Sequence, residues 1–259
     1  MFAASVTGML DRFFLYFPDR ELDAVPSDIA LAYEDASFVT TDGVRLQGWF
    51  IPGGDVTWLW FHGNAGNIGH RLENLRQLHE SLGVSVLLFD YRGFGLSEGT
   101  PSEQGIYLDT KAALDYLHSR DDVREDRIVY FGRSLGSAAA IDLALSEPPY
   151  GLILESSLPS IEFVARQAYP FLPGWFVRLI IRAQFDSLSK ISSVTAPIMF
   201  LHGARDEVVP INAGRALFEE AREPKEFYPI QGAGHNDTYR VGGEPYFAAL
   251  VRFLDRLPR

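Results

Sequence analysis

Apolar positions along this chain follow two alternating rhythms. One is the short unbroken run: residues 56–61, 84–89, 128–131, 151–154, 197–201 and 226–230 are almost wholly apolar over strand length. Runs of this kind suit strands covered on both faces, as in a parallel sheet. The other rhythm has helical period and fills the gaps, at residues 69–82, 103–119, 135–146, 212–222 and 244–257. Ahead of both, residues 36–41 and 44–51 flank Asp42-Gly43, a hairpin signal. A hairpin followed by strand–helix units predicts an α/β fold. The expected sheet has eight strands, mostly parallel, with helices on both faces. In such sheets the loops at the carboxyl ends of the strands converge, and ligands bind there.

Two segments break the pattern. Residues 157–194 exceed what a crossover needs and are rich in aromatics, with Pro159, Pro170, Pro173 and Gly174 cutting them into short pieces. This stretch is expected to form a small helical lid, with Phe163, Tyr169 and Trp175 as substrate contacts. Residues 1–34 form an expected N-terminal amphipathic helix and connector, ahead of a main domain at 35–259. Phe2, Val6, Met9, Leu10, Phe13 and Phe17 recur at helical spacing. The uncharged opening stretch is about half of the roughly 20 apolar residues that a membrane span requires. It also lacks the basic start and cleavage site of a secretory signal. The helix is expected either to pack on its own domain or to make a peripheral membrane contact through residues 1–17. The expected location is the cytoplasm, with or without membrane association.

Composition narrows the chemistry. The chain of 259 residues has a formal charge of −11 and no basic run, so no nucleic-acid partner is expected. With no cysteine, thiol catalysis, disulfides and thiolate metal sites are excluded. No ligand cluster of metal-binding spacing occurs either, and no cofactor is expected. Oligomeric state is not written in the sequence.

The chemically distinctive motif is Gly132-Arg133-Ser134-Leu135-Gly136, a G-x-S-x-G pattern between an expected strand and an expected helix. A sharp strand-to-helix turn lifts such a serine clear of the backbone, and the flanking glycines leave the needed room. A serine hydroxyl needs a base to become a nucleophile at neutral pH. Of the 6 histidines, His70, His79 and His118 fall inside expected helices as surface residues. His62 and His202 end strands and are read as turn-shaping. His235, in the loop Gly232-Ala233-Gly234-His235, is the candidate base. Asp206 is the candidate acceptor that orients it, with Glu207 and Glu155 as rivals. An oxyanion would need preorganised N–H donors. The backbone N–H of Leu135 is one, and the loop His62-Gly63-Asn64-Ala65-Gly66-Asn67 is expected to give the other, with Asn64 first.

Taken together with Asp90-Tyr91-Arg92-Gly93-Phe94-Gly95-Leu96-Ser97-Glu98-Gly99, these motifs resemble the α/β-hydrolase superfamily from about Ala36 onward. They are most similar to bacterial serine hydrolases related to eukaryotic membrane-tethered enzymes, some of which remove palmitate from proteins. The motifs and the resemblance together lead to a carboxylic-ester hydrolase acting on a small-molecule ester through Ser134, His235 and Asp206, and the aromatic lid suggests an apolar acyl or alcohol group. Thioester or lipid hydrolysis is the alternative, and a non-catalytic binding protein on the same fold is the rival class. Activity is expected to rise with pH as the histidine base loses its proton, near an ordinary value of about 6.5.

Overall fold

The strands that hold the chain together are, in order, β1 (Phe17–Pro18), β2 (Glu34–Val39), β3 (Arg45–Ile51), β4 (Gly54–Phe61), β5 (Ala65–Gly66), β6 (Val84–Asp90), β7 (Ile128–Arg133), β8 (Gly151–Glu155), β9 (Ile198–Gly203) and β10 (Lys225–Ile230). The helices between them are α1 (Leu72–Leu82), α2 (Glu103–His118), α3 (Leu135–Ser146), α4 (Ile161–Ala168), α5 (Leu188–Ile191), α6 (Ile211–Glu220) and α7 (Thr238–Arg256). These assignments come from a computed structural model that describes residue 11, residues 14–168, residue 171, residues 174 and 175, and residues 181–258.

Eight strands form one sheet in the order β10-β9-β8-β7-β4-β6-β3-β2. The pairs from β10 through β6 are parallel, whereas β3 pairs antiparallel with both β6 and β2. The unbroken apolar runs are thereby explained. Every residue of β6, β7, β8 and β9 is buried, because helices cover both faces. Successive residues of one strand enter opposite cores: Leu59 and Phe61 face α2 and α3, while Trp58 and Trp60 face α1 and α7. Burying a side chain such as these stabilises the fold by about 1.5–3 kcal/mol each.

Two features depart from the expected pattern. α7 begins at Thr238, six residues or so ahead of the apolar period, and breaks at Gly243, whose φ is 51°, just before Pro245. Glycine tolerates that left-handed backbone and proline suits the first turn of the helix that follows, so two helical pieces run together. The short parallel pair β1–β5 was not anticipated. It ties the chain near Phe17 to the loop after β4, with Phe17 N–H donating to Asn64 O at 2.9 Å and Asp19 N–H to Gly66 O at 3.1 Å. Leu15 and Tyr16 are buried in the core beside α2 and α3. Leu15 and Tyr16 thus pack on the domain, whereas Phe14 and Phe17 are exposed, and Phe17, expected in the amphipathic helix, lies in strand β1. Phe2, Val6, Met9, Leu10 and Phe13 lie outside the described residues. No helix among those described is long and apolar enough to cross a membrane.

Within the expected lid, α4 and α5 are helical, as the sequence suggested. Its return limb is anchored. Phe185 is fully buried, and the N–H groups of Gln184 and Phe185 donate to the Glu103 carboxylate at 2.8 and 2.9 Å. Tyr169, Pro170, Pro173 and Phe176 lie outside the described residues.

Candidate active site

The turn between β7 and α3 is as sharp as its motif implies. Ser134 has φ 53° and ψ −121°, a left-handed backbone that is costly for a residue with a Cβ. The surroundings hold it there. A Cβ on Gly136 would come within 2.0 Å of Phe61 O, and one on Gly132 within 2.6 Å of Gly136 O. Helix α3 can thus lie directly against the ends of β4 and β7 only because both positions are glycine. Ser134 N–H donates to Glu155 O at 2.9 Å, and its own carbonyl accepts from the Ser137 hydroxyl at 2.6 Å.

Two neighbouring loops bring the partners. Beyond β9, Asp206 is folded back by three contacts: its Oδ1 accepts from the N–H groups of Val208 and Val209, at 3.0 and 2.8 Å, and its Oδ2 lies 2.8 Å from His235 Nδ1. Beyond β10, the loop carrying His235 is tied to the β9 loop by Arg205 N–H donating to Ala233 O at 2.8 Å. Gly234 N–H donates to Asp237 Oδ1 at 2.7 Å. His235 Nε2 then lies 3.1 Å from Ser134 Oγ. Asp206, ionised, can only accept, so the imidazole proton sits on Nδ1 and the Nε2 lone pair faces the serine hydroxyl. Burial pushes the Asp206 carboxyl up, but the hydrogen bond and charge of His235 and the Val209 N–H outweigh it, and the net shift is downward.

The rival acids are occupied or elsewhere. Glu155 is fully buried and shared among Arg133 Nε at 3.1 Å, the Thr238 hydroxyl at 2.8 Å and the Tyr246 hydroxyl at 2.7 Å. Glu207 is exposed on the same turn as Asp206. His202 shapes that turn, as expected for it: its Nε2 lies 2.8 Å from Val209 O. His62 plays the same part after β4, with Nδ1 2.7 Å from Gly63 O and its ring against Tyr91 and Phe94. Burial, with the charge of Arg71, pulls the His62 imidazole down to about 3.

Sequence reasoning missed Arg133. It stands opposite Glu155 in the β7–β8 register, and its Nη2 donates to His235 O at 2.6 Å, with Asn236 Oδ1 at 3.4 Å. One guanidinium thus links the serine's strand, a buried carboxylate and the histidine's loop. The available signal was a charged residue ending an apolar strand, beside another strand ending in Glu155.

Ser134 and His235 open into a cleft of about 370 Å³ whose walls include Gly63, Asn64, Arg71, Arg133 and Asn236. His70, expected on the surface, also lines it. Asn64 lines the cleft, and since its side-chain amide donates to Leu15 O at 2.8 Å, the candidate oxyanion donor at this position is its backbone N–H. Neither it nor the Leu135 N–H has a hydrogen-bond acceptor among the described residues. Among the described residues, no lid aromatic lines this cleft. Phe163 is turned by α4 against the core and a separate hollow beside Ser160 and Arg166, and Trp175 is 69% exposed. Tyr169 lies outside the described residues. No group of three or more His, Cys, Asp or Glu able to hold a metal occurs among the described residues.

Comparison with known proteins agrees with this architecture. Residues 57–195 match the family described as serine aminopeptidase, S33. An uncharacterized protein of Mycobacterium tuberculosis is 40% identical over 94% of this chain and 86% of its own length. The Arabidopsis thaliana α/β-hydrolase domain-containing protein WAV2 is 38% identical over 89% of this chain and 81% of its own. A solved esterase from Pyrococcus furiosus superposes with a TM-score of 0.78 at 25% identity, covering 94% of this chain and 98% of that one. The chain is a hydrolase and belongs to this S33 family of the α/β-hydrolase superfamily.

Proposed function

We propose that the chain is a serine esterase in which Ser134 is the nucleophile, His235 its base and Asp206 the acid that orients the base. The observation that carries this reading is the unbroken hydrogen-bonded line from Ser134 Oγ through the imidazole to Asp206, at 3.1 and 2.8 Å, opening on a cleft. In the reaction, Ser134 Oγ attacks the ester carbonyl as its proton passes to His235 Nε2. The backbone N–H groups of Leu135 and Asn64 receive the oxyanion, and each such donor typically contributes about 3–4 kcal/mol to the transition state. His235 returns the proton to the departing alcohol, leaving an acyl group on Ser134. Water, deprotonated by His235, then releases the acid and restores the hydroxyl. Asp206 stays ionised throughout and stabilises the imidazolium in both halves. The esterase named among the similar structures supports ester bonds as the first substrate class to test.

The experiment is a panel of p-nitrophenyl esters of short and medium acyl chain, with one thioester for comparison. Wild type is expected to turn them over, and Ser134→Ala to lose about five orders of magnitude in kcat with its fold intact. Equal rates for the two proteins would overturn the assignment.

A further inference from the structure

The cleft at Ser134 differs in charge from the molecule around it. The chain carries −11 overall, yet among the described residues those lining the cleft include two arginines and neither aspartate nor glutamate. The two cations are not equivalent. Arg133 is neutralised by Glu155 at 3.1 Å and is committed to His235 O. Arg71, at the junction of the short 3-10 turn Ile68–Arg71 with α1, forms no ion pair among the described residues. Among the described residues its one hydrogen bond is from Nη2 to Ala65 O, and most of its donors have no acceptor there. The carboxyl that bears on it is Asp90, and burial pushes that group up to about 8, so it is mostly protonated at neutral pH. Burial, followed by repulsion from Arg133, lowers Arg71 itself to about 10, which keeps it cationic. His70, beside it, is already engaged, its Nδ1 accepting from Asn67 N–H at 3.1 Å.

A partly desolvated guanidinium with no counter-ion is costly unless something supplies one. Its fork geometry fits two oxygens of one oxyacid group. We propose that Arg71 binds a negatively charged group of the substrate, a carboxylate or a phosphate, so that the ester cleaved at Ser134 is an anionic one. This inference rests on the esterase reading above. It also adds a charge requirement to the apolar preference expected from the lid, since the described walls of the cleft carry Arg71 and Arg133 beside Ala65 and Val208.

Two substrate pairs test it and locate the charge. Mono-p-nitrophenyl succinate against p-nitrophenyl butyrate places a carboxylate on the acyl side. Butyryl glycerophosphate against monobutyrin places a phosphate on the alcohol side. The quantity read is the ratio of kcat/KM, charged over neutral. Wild type is expected to favour the charged member of at least one pair by roughly ten-fold or more, less so as salt is added. Arg71→Gln is expected to abolish that ratio and Arg71→Lys to retain part of it. A wild-type preference for the neutral member of both pairs, or a ratio unmoved by Arg71→Gln, would overturn the proposal. Labelling by a fluorophosphonate probe separates the two failures. A chain labelled at Ser134 that ignores substrate charge refutes the role of Arg71 alone. A chain that is neither labelled nor active refutes the esterase reading, and this one with it.

Discussion

At the scale of single residues, the site depends on charges held out of water by partners. Asp206 illustrates the balance. Burial alone would favour its neutral form, and contact with His235 reverses that. Because its folded pKa lies below its ordinary value, its contribution to stability is complete above that ordinary value and fades as pH falls through the folded one. Arg133 does a different job. It touches no reacting atom in the proposed reaction, but it holds His235 by the carbonyl at 2.6 Å. It is a positioning residue, and Arg133→Met is expected to lower kcat about 10- to 100-fold with a smaller change in KM. Steady-state kinetics on one ester checks this; a change confined to KM would make Arg133 a binding residue instead. The meeting of Ser134, His235 and Asp206 was legible because the order and loop positions of such a trio are set by the fold. Arg133 was not, because its partner Glu155 is distant in sequence and becomes adjacent only through the β7–β8 register.

At the scale of elements, the β7–α3 turn carries the most constraint. The glycines around Ser134 act as spacers, as their motif implies, and the structure shows what they space. Gly136→Ala would push a methyl group into Phe61 O and the His62 carbonyl, at 2.0 and 2.6 Å. Backbone oxygens cannot rotate away as a flexible side chain can. The expected cost is about 1–3 kcal/mol, read as a lower urea midpoint at unchanged m-value. An unchanged midpoint would show that α3 can slide away from β4. The lid was harder to read. Its aromatic content suggested a hydrophobic wall, but hydrophobicity does not say which way a residue faces. At Phe163 the amphipathic face of α4 turns toward the core. The β1–β5 pair escaped notice for a related reason, since two-residue strands leave no periodicity to find.

At the scale of the whole molecule, the sheet was the most legible feature. Unbroken apolar runs suit strands of a covered sheet, so six of the eight strands follow from runs such as Trp58–Phe61 and Val84–Phe89, and the other two from the hairpin signal at Asp42-Gly43. Burial also gives the whole fold a pH dependence. Asp90, at the end of β6, is pushed up to about 8, chiefly by burial, while the Ile68 N–H and Arg71 pull back. A carboxyl whose folded pKa exceeds its unfolded value stabilises the fold fully below the unfolded value, and loses that contribution as pH rises through the folded one. The stability of wild type relative to Asp90→Asn should therefore decline between about pH 4 and pH 8. Urea unfolding of both proteins across that range checks it, and a constant difference would mean that Asp90 is ionised in the folded state.

The central claim, that Ser134 is an activated nucleophile, is tested most directly by intact-mass and peptide analysis after exposure to a fluorophosphonate probe. The account predicts one adduct, located on Ser134, absent from Ser134→Ala and formed far more slowly in His235→Ala. An unmodified wild-type chain, or an adduct on another residue that persists in Ser134→Ala, would contradict it.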